Sequence, residues 1–98
     1  MTIRKFEEHT AAQAAIIYYD DGTLALRSYA TIVATVDSAS WLTVNGLYSR
    51  TTIKHISWFM RLLANQYHVN SLNYQLAKQL YMDKARMNLC TGEIEFME

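Results

Sequence analysis

The 98-residue chain has no proline, three glycines and one cysteine. With no proline and no Gly/Ser-rich stretch there is no candidate linker, repeat or low-complexity tract, so residues 1–98 read as one domain. A single cysteine excludes an internal disulfide and a cysteine-based zinc knuckle, and leaves Cys90 a free thiol. Three unclustered glycines exclude the loops that cradle phosphates. His9, His55, His68 and Cys90 are scattered without ligand spacing, so no metal and no cofactor is expected. An excess of either charge is also missing: nine Lys plus Arg balance nine Asp plus Glu. That excludes both a highly acidic mimic of DNA and a strongly basic nucleic-acid coat. The longest apolar run, residues 14–19, is far shorter than the roughly 20 residues a membrane helix needs. Arg4, Lys5, Glu7, Glu8 and His9 stand where a signal peptide would carry its apolar stretch, so a cytoplasmic protein without membrane contact is expected.

What the chain does have is material for a core. Apolar residues make up 51% of it, aromatics 12% and charged residues 18%, a balance far from the disordered class. A chain of this length buries somewhat over ~60% of the surface it exposes when unfolded, enough for one core without staples.

The first half of the pattern is β-like. Residues 14–19 and 24–29 flank Asp21-Gly22, a strong hairpin signal because glycine adopts positive φ freely and aspartate tolerates it. Residues 31–36 alternate Ile32, Ala34 and Val36 with Thr31, Val33 and Thr35, as a further stretch of strand does. No turn chemistry separates Tyr29 from Thr31, which leaves open one long bent strand, bulged near residues 28–30, or two strands. Residues 37–40 form a turn and residues 41–44 another strand, followed by Asn45-Gly46. The period then changes to that of a helix: Ile53, Ile56, Phe59, Met60, Leu63 and Tyr67 share one arc over residues 51–66, with Ser49 or Thr51 as candidate N-cap. The break at residues 68–70 leads, by way of Asn70 or Ser71 as cap, into a second helix to about residue 85, with Leu72, Tyr74, Leu76, Ala77, Leu80 and Tyr81 on its apolar face. Glu93 to Phe96 alternates as a short edge strand does. The expected fold is therefore α+β: an antiparallel sheet of three to four strands, a two-helix hairpin packed on one face, and a short C-terminal strand. Residues 1–13 read as a loose arm or a short helix.

Catalytic chemistry finds little support. Ser49 and His55 are close in sequence, but no glycine-flanked strand-to-helix elbow presents the serine, so a helix cap is the better reading. Glu93, Glu95 and Glu98 are at strand spacing, where a solvated edge is commoner than a catalytic dyad. No enzyme is expected, and His55, at the border of the core arc, reads as a neutral structural imidazole.

Charge becomes informative when the chain is cut by element. Residues 41–86 hold Arg50, Lys54, Arg61, Lys78, Lys84 and Arg86 against Asp83 alone, while the first 40 residues and the tail are net acidic. A neutral protein thus conceals a basic helical pair of the kind that attracts phosphate or an acidic protein surface. At 100° per residue Lys54, Trp58 and Arg61 project away from the core arc, with Trp58 between the two cations. This is the composition of an interface anchor, or of a platform for an unpaired base; the bland alternative has Trp58 covered by the chain's own ends. On the second helix Gln75, Lys78, Gln79 and Met82 face outward. Gln and Lys are types that read base edges, although any exposed helix carries them, and the short turn between the helices would suit a helix-turn-helix.

Two blocks carry a resemblance. Ser28-Tyr29-Ala30-Thr31-Ile32-Val33-Ala34 fits the pattern S-Y-x-T-x-x-A. Tyr48-Ser49-Arg50-Thr51-Thr52-Ile53-Lys54-His55-Ile56 fits Y-S-x-T-T-x-K-H-I. In both, over about residues 28–60, the chain resembles a group of small bacteriophage and prophage proteins, with weaker echoes at residues 74–81 and 91–94. The resemblance implies a phage-type origin, hence the cytoplasm of a bacterial host, and carries over no catalytic residue. Small phage proteins without enzymatic motifs commonly bind a host macromolecule, and inhibitors of bacterial defence, CRISPR effectors included, are prominent among them. The expectation is a stoichiometric protein that docks on a host protein through Arg50, Lys54, Trp58 and Arg61. The alternative is a nucleic-acid binder that adds Gln75, Lys78 and Gln79. A homodimer is expected if residues 14–19, which lack a blunting charge or proline, form an outer strand; an N-terminal arm over that edge would leave a monomer.

Overall fold

The computed structural model describes residues 2–5, 14–46 and 50–97. Seven strands, β1 (Thr2–Lys5), β2 (Ala14–Tyr18), β3 (Leu24–Ser28), β4 (Thr31–Val36), β5 (Trp41–Val44), β6 (Ala85–Asn88) and β7 (Ile94–Phe96), lie side by side in chain order. Every neighbouring pair is antiparallel. Helices α1 (Arg50–Tyr67) and α2 (Tyr74–Asp83) are inserted between β5 and β6, so the chain leaves the sheet, crosses it twice and rejoins at the next position. The α+β class holds, and the strand count rises from the expected three or four plus one to seven. The extra strands are β1, where a loose arm or helix was expected, and β6, whose first residue was assigned to the end of the second helix. Residues 6–13 of the expected arm and the candidate cap Ser49 lie outside the described residues.

Local chemistry explains the turns. Gly22 sits at φ 93°, and the Asp21 carboxylate accepts the Thr23 N–H at 2.9 Å, tying off the β2–β3 hairpin. Asp37 Oδ1 accepts from the N–H groups of Ala39 and Trp41 while Ser40 takes the left-handed conformation, so the Asp37 side chain closes the β4–β5 turn. Residues 24–36 are two strands. Ser28 pairs with Thr31 across a two-residue turn in which Tyr29 adopts φ 57°, an uncommon conformation for an aromatic residue. The register slips between Leu26 and Arg27, leaving Val33 as the extra residue of a bulge.

The helix boundaries differ from those the pattern suggests. His68 at φ 57° ends α1, and the Val69 N–H returns to the Ala64 carbonyl, a Schellman-type stop. Asn73, rather than Asn70 or Ser71, caps α2 by accepting the Leu76 N–H at 2.9 Å. Thr51 lies inside α1 and is not its cap. Lys84 takes the left-handed conformation with its N–H on the Leu80 and Tyr81 carbonyls, which stops α2 two residues short of the expected end and turns the chain into β6.

Register places Leu24, Leu26, Ala34, Val36, Leu42, Val44, Ala85 and Met87 on one sheet face. There they meet Ile56, Phe59, Met60 and Leu63 of α1 and Ala77 and Leu80 of α2 in a single core. α1 lies on β3 and β4, α2 on β5 and β6. The opposite face is not uniformly wet: Thr35, Thr43 and Arg86 are partly exposed, whereas Ala15, Ile17 and Ala25 are buried. Because β1 pairs along β2, residues 14–18 are not an outer strand, and the expected route to a dimer through that edge is closed.

Candidate functional site

The tight β3–β4 turn delivers Ser28 to the first turns of α1. The Ser28 hydroxyl lies 2.8 Å from His55 Nδ1 and 3.1 Å from Thr52 Oγ1, and all three residues are buried. His55 sits on the arc that faces the sheet, one turn after Thr52, so both reach the same hydroxyl. A serine on an imidazole is the geometry of an activated nucleophile. Here Ser28 is 2% exposed and His55 0%, and the trio joins hairpin to helix as a buried polar clamp. Buried polar groups carry weight only when paired, as these are.

Above the clamp stands a row of rings. The Tyr29 and Trp58 rings each lie 6.1 Å from the His55 ring, tilted by 48° and 40°. Tyr29, at the hairpin tip, is 49% exposed. Trp58 is only partly exposed, so it stands at the surface and also roofs His55, between the outward platform and the covered ring that the sequence left open. Lys54 and Arg61, one turn before and one after Trp58, are exposed, and neither has a carboxylate partner among the described residues. Arg50 begins α1; its side chain lies outside the described residues.

On α2, Gln75, Lys78 and Gln79 are exposed, as expected, but the Gln79 amide donates to Asp83 Oδ2 at 2.7 Å, which occupies a group assigned to base reading and holds a carboxylate beside it. The link between the helices spans residues 68–73, longer than the turn expected for a helix-turn-helix. The basic surplus is also redistributed. Arg86 belongs to β6, pairs with Glu95 of β7 and lies 4.3 Å over the Trp41 ring. Among the described residues Lys54, Arg61 and Lys78 have no carboxylate partner, and no acidic residue occurs between Asp37 and Asp83 in the sequence.

The structure thus brings Lys54, Trp58 and Arg61 together, leaves Gln75 and Lys78 on the neighbouring helix, and adds Tyr29, Ser28 and Thr52, which sequence reasoning did not select. A signal for them existed: Ser28 and Tyr29 open the first resembling block, and Thr52 and His55 belong to the second. Among the described residues no three His, Cys, Asp or Glu side chains come together as a metal would require, and no helix is long and apolar enough to cross a membrane. Over residues 2–78 the sequence matches a family described as a family of unknown function, DUF8033. No curated protein and no solved structure matches it.

Proposed function

The chain belongs to this family of unknown function, and we propose that it is a non-catalytic docking protein of phage type that binds an acidic surface on a bacterial host protein. Its place would be that of a stoichiometric inhibitor of a host defence system, such as a CRISPR effector. The observation that carries this reading is the outward stripe of α1, where the exposed cations Lys54 and Arg61 flank Trp58 with Tyr29 close by and the helical layer offers them no acidic residue before Asp83. Aromatic and cationic side chains of this kind dominate binding energy at protein interfaces, and a patch of one sign speeds encounter with a complementary surface. The buried Ser28–His55 pair supports a clamp rather than turnover.

Binding of nucleic acid is the weaker reading. Trp58 leans on His55 and leaves less of its face for a stacked base, and Gln79 is held by Asp83. The test compares wild type with Lys54→Glu/Arg61→Glu in capture from nuclease-treated bacterial lysate, followed by titration with the captured protein. Reversing both charges should weaken binding by ~2 kcal/mol or more, about 30-fold, with the melting temperature unchanged. Equal capture by both forms would reject the α1 stripe. If binding appears only when nucleic acid is retained and falls steeply with salt, the nucleic-acid reading replaces this one.

A further inference from the structure

The links β2–β3, β3–β4, β4–β5 and β6–β7 each place one residue at positive φ: Gly22 at 93°, Tyr29 at 57°, Ser40 at 72° and Gly92 at 79°. Glycine takes that conformation freely. Ser40 is small and lies in the turn that Asp37 closes, while His68 and Lys84, also at positive φ, end helices, where the left-handed conformation is an ordinary stop. Tyr29 has none of these excuses: it is a bulky aromatic residue in a strained backbone conformation. Strain of this kind persists only where the surroundings impose it, and it collects at functional sites. Here the surroundings do impose it. Ser28 is tied to His55 and Thr52 and pairs with Thr31, so two residues must reverse the chain and the first must take positive φ. Yet the Tyr29 ring is no part of the core. It is 49% exposed and leans on the same imidazole as Trp58, beside the exposed cations Lys54 and Arg61 of α1.

We infer that Tyr29 is the anchor of the docking surface, held out by the Ser28–His55–Thr52 clamp. Its partner is an acidic protein surface with an apolar recess for the ring and a hydrogen-bond acceptor inside it for the hydroxyl. The inference rests on the docking reading and adds to it the residue around which the contact is built. A tyrosine brings a large apolar area with only two side-chain torsions to freeze, and a backbone already fixed by the clamp loses little more on binding. Its hydroxyl needs a partner once buried, which is why the recess must hold an acceptor. Lys54 and Arg61 supply the charge that selects an acidic surface. A turn shaped for stability alone would carry glycine or asparagine at position 29; an exposed aromatic ring there gives up stability for a preformed contact.

Tyr29→Asn tests this on the full chain, because asparagine accepts positive φ and carries no ring. Relief of strain and loss of the ring's contact with His55 act in opposite directions, so the melting temperature should stay within about 4 °C of wild type. Affinity for the host protein captured in the docking test, read by titration, should fall about 30-fold or more. Tyr29→Phe keeps the ring and the fold and should lose roughly 5-fold with the hydroxyl's hydrogen bond. A loss below about 3-fold for Tyr29→Asn, beside a full effect of Lys54→Glu/Arg61→Glu, overturns the inference and leaves the docking reading standing. A melting temperature more than about 10 °C lower in Tyr29→Asn also overturns it, since Tyr29 would then belong to the fold. Wild-type affinity in Tyr29→Phe rules out the acceptor. Binding that neither Tyr29→Asn nor the charge reversal weakens rejects the docking reading itself.

Discussion

Replacing Ser28 by alanine removes the hydroxyl at the centre of the buried clamp. It strips His55 Nδ1 of a partner at 2.8 Å and Thr52 Oγ1 of one at 3.1 Å, in a place where neither residue is more than 3% exposed. Each of the two buried hydrogen bonds lost contributes ~0.5–1.5 kcal/mol, and the cavity left by one oxygen is small, so a loss of ~2 kcal/mol is expected. For a domain of this size that lowers the melting temperature by about 8–16 °C, at roughly 4–8 °C per kcal/mol. Ser57 serves as the control. Its hydroxyl donates to the Ile53 carbonyl at 3.0 Å from a partly exposed position, and Ser57→Ala should stay within ~0.5 kcal/mol of wild type. Thermal unfolding followed by circular dichroism at neutral pH reads both. Combining Ser28→Ala with His55→Leu should cost less than the two single changes together, by at least ~0.5 kcal/mol, because the pair shares one interaction. A fall of less than about 3 °C for Ser28→Ala, on the same conversion, would refute the clamp.

Lys84 adopts φ 51° at the exposed end of α2, a conformation that costs a side-chain-bearing residue roughly 1–2 kcal/mol and glycine almost nothing. After glycine's larger unfolded-state entropy is subtracted, Lys84→Gly should stabilise the protein by ~0.5–1 kcal/mol; a lower melting temperature would count against the cap geometry. The Thr23 N–H bonded to Asp21 holds that carboxyl below the ordinary aspartate range. A depressed folded value means the turn's contribution is present above the unfolded value of about 3.9 and is lost as pH falls through the folded one. NMR titration should therefore find Asp21 ionising below that value, with the Thr23 amide exchanging faster once it is protonated. An Asp21 midpoint at or above it would remove the bond from the account.

What could be read from the sequence was what neighbouring residues decide among themselves. Asp21-Gly22 and Asp37 announce turns because their side chains and φ freedom act within two to four residues. The arc from Ile53 to Tyr67 announces α1 because a helix repeats its contacts every turn. The balance of charge, and its concentration in the helical region, needed no coordinates. Tertiary structure decided the rest. β1 and β6 are four residues each, too short for a period to show, and they exist because a neighbouring strand supplies the hydrogen bonds; only β7 was legible at such a length, from the alternation of Glu93 to Phe96. The pairing of β5 with β6 spans both helices, which no local pattern records. Ser28 and His55 are 27 positions apart, and each taken alone reads as an ordinary strand end and a helix-border residue. Only the folded chain makes them partners, because the tip of one hairpin lands on the first turns of α1. Trp58 differs: its helical angle points outward, yet its ring lies against His55 of the same helix and is only partly exposed, a degree of cover that helical angle alone does not fix.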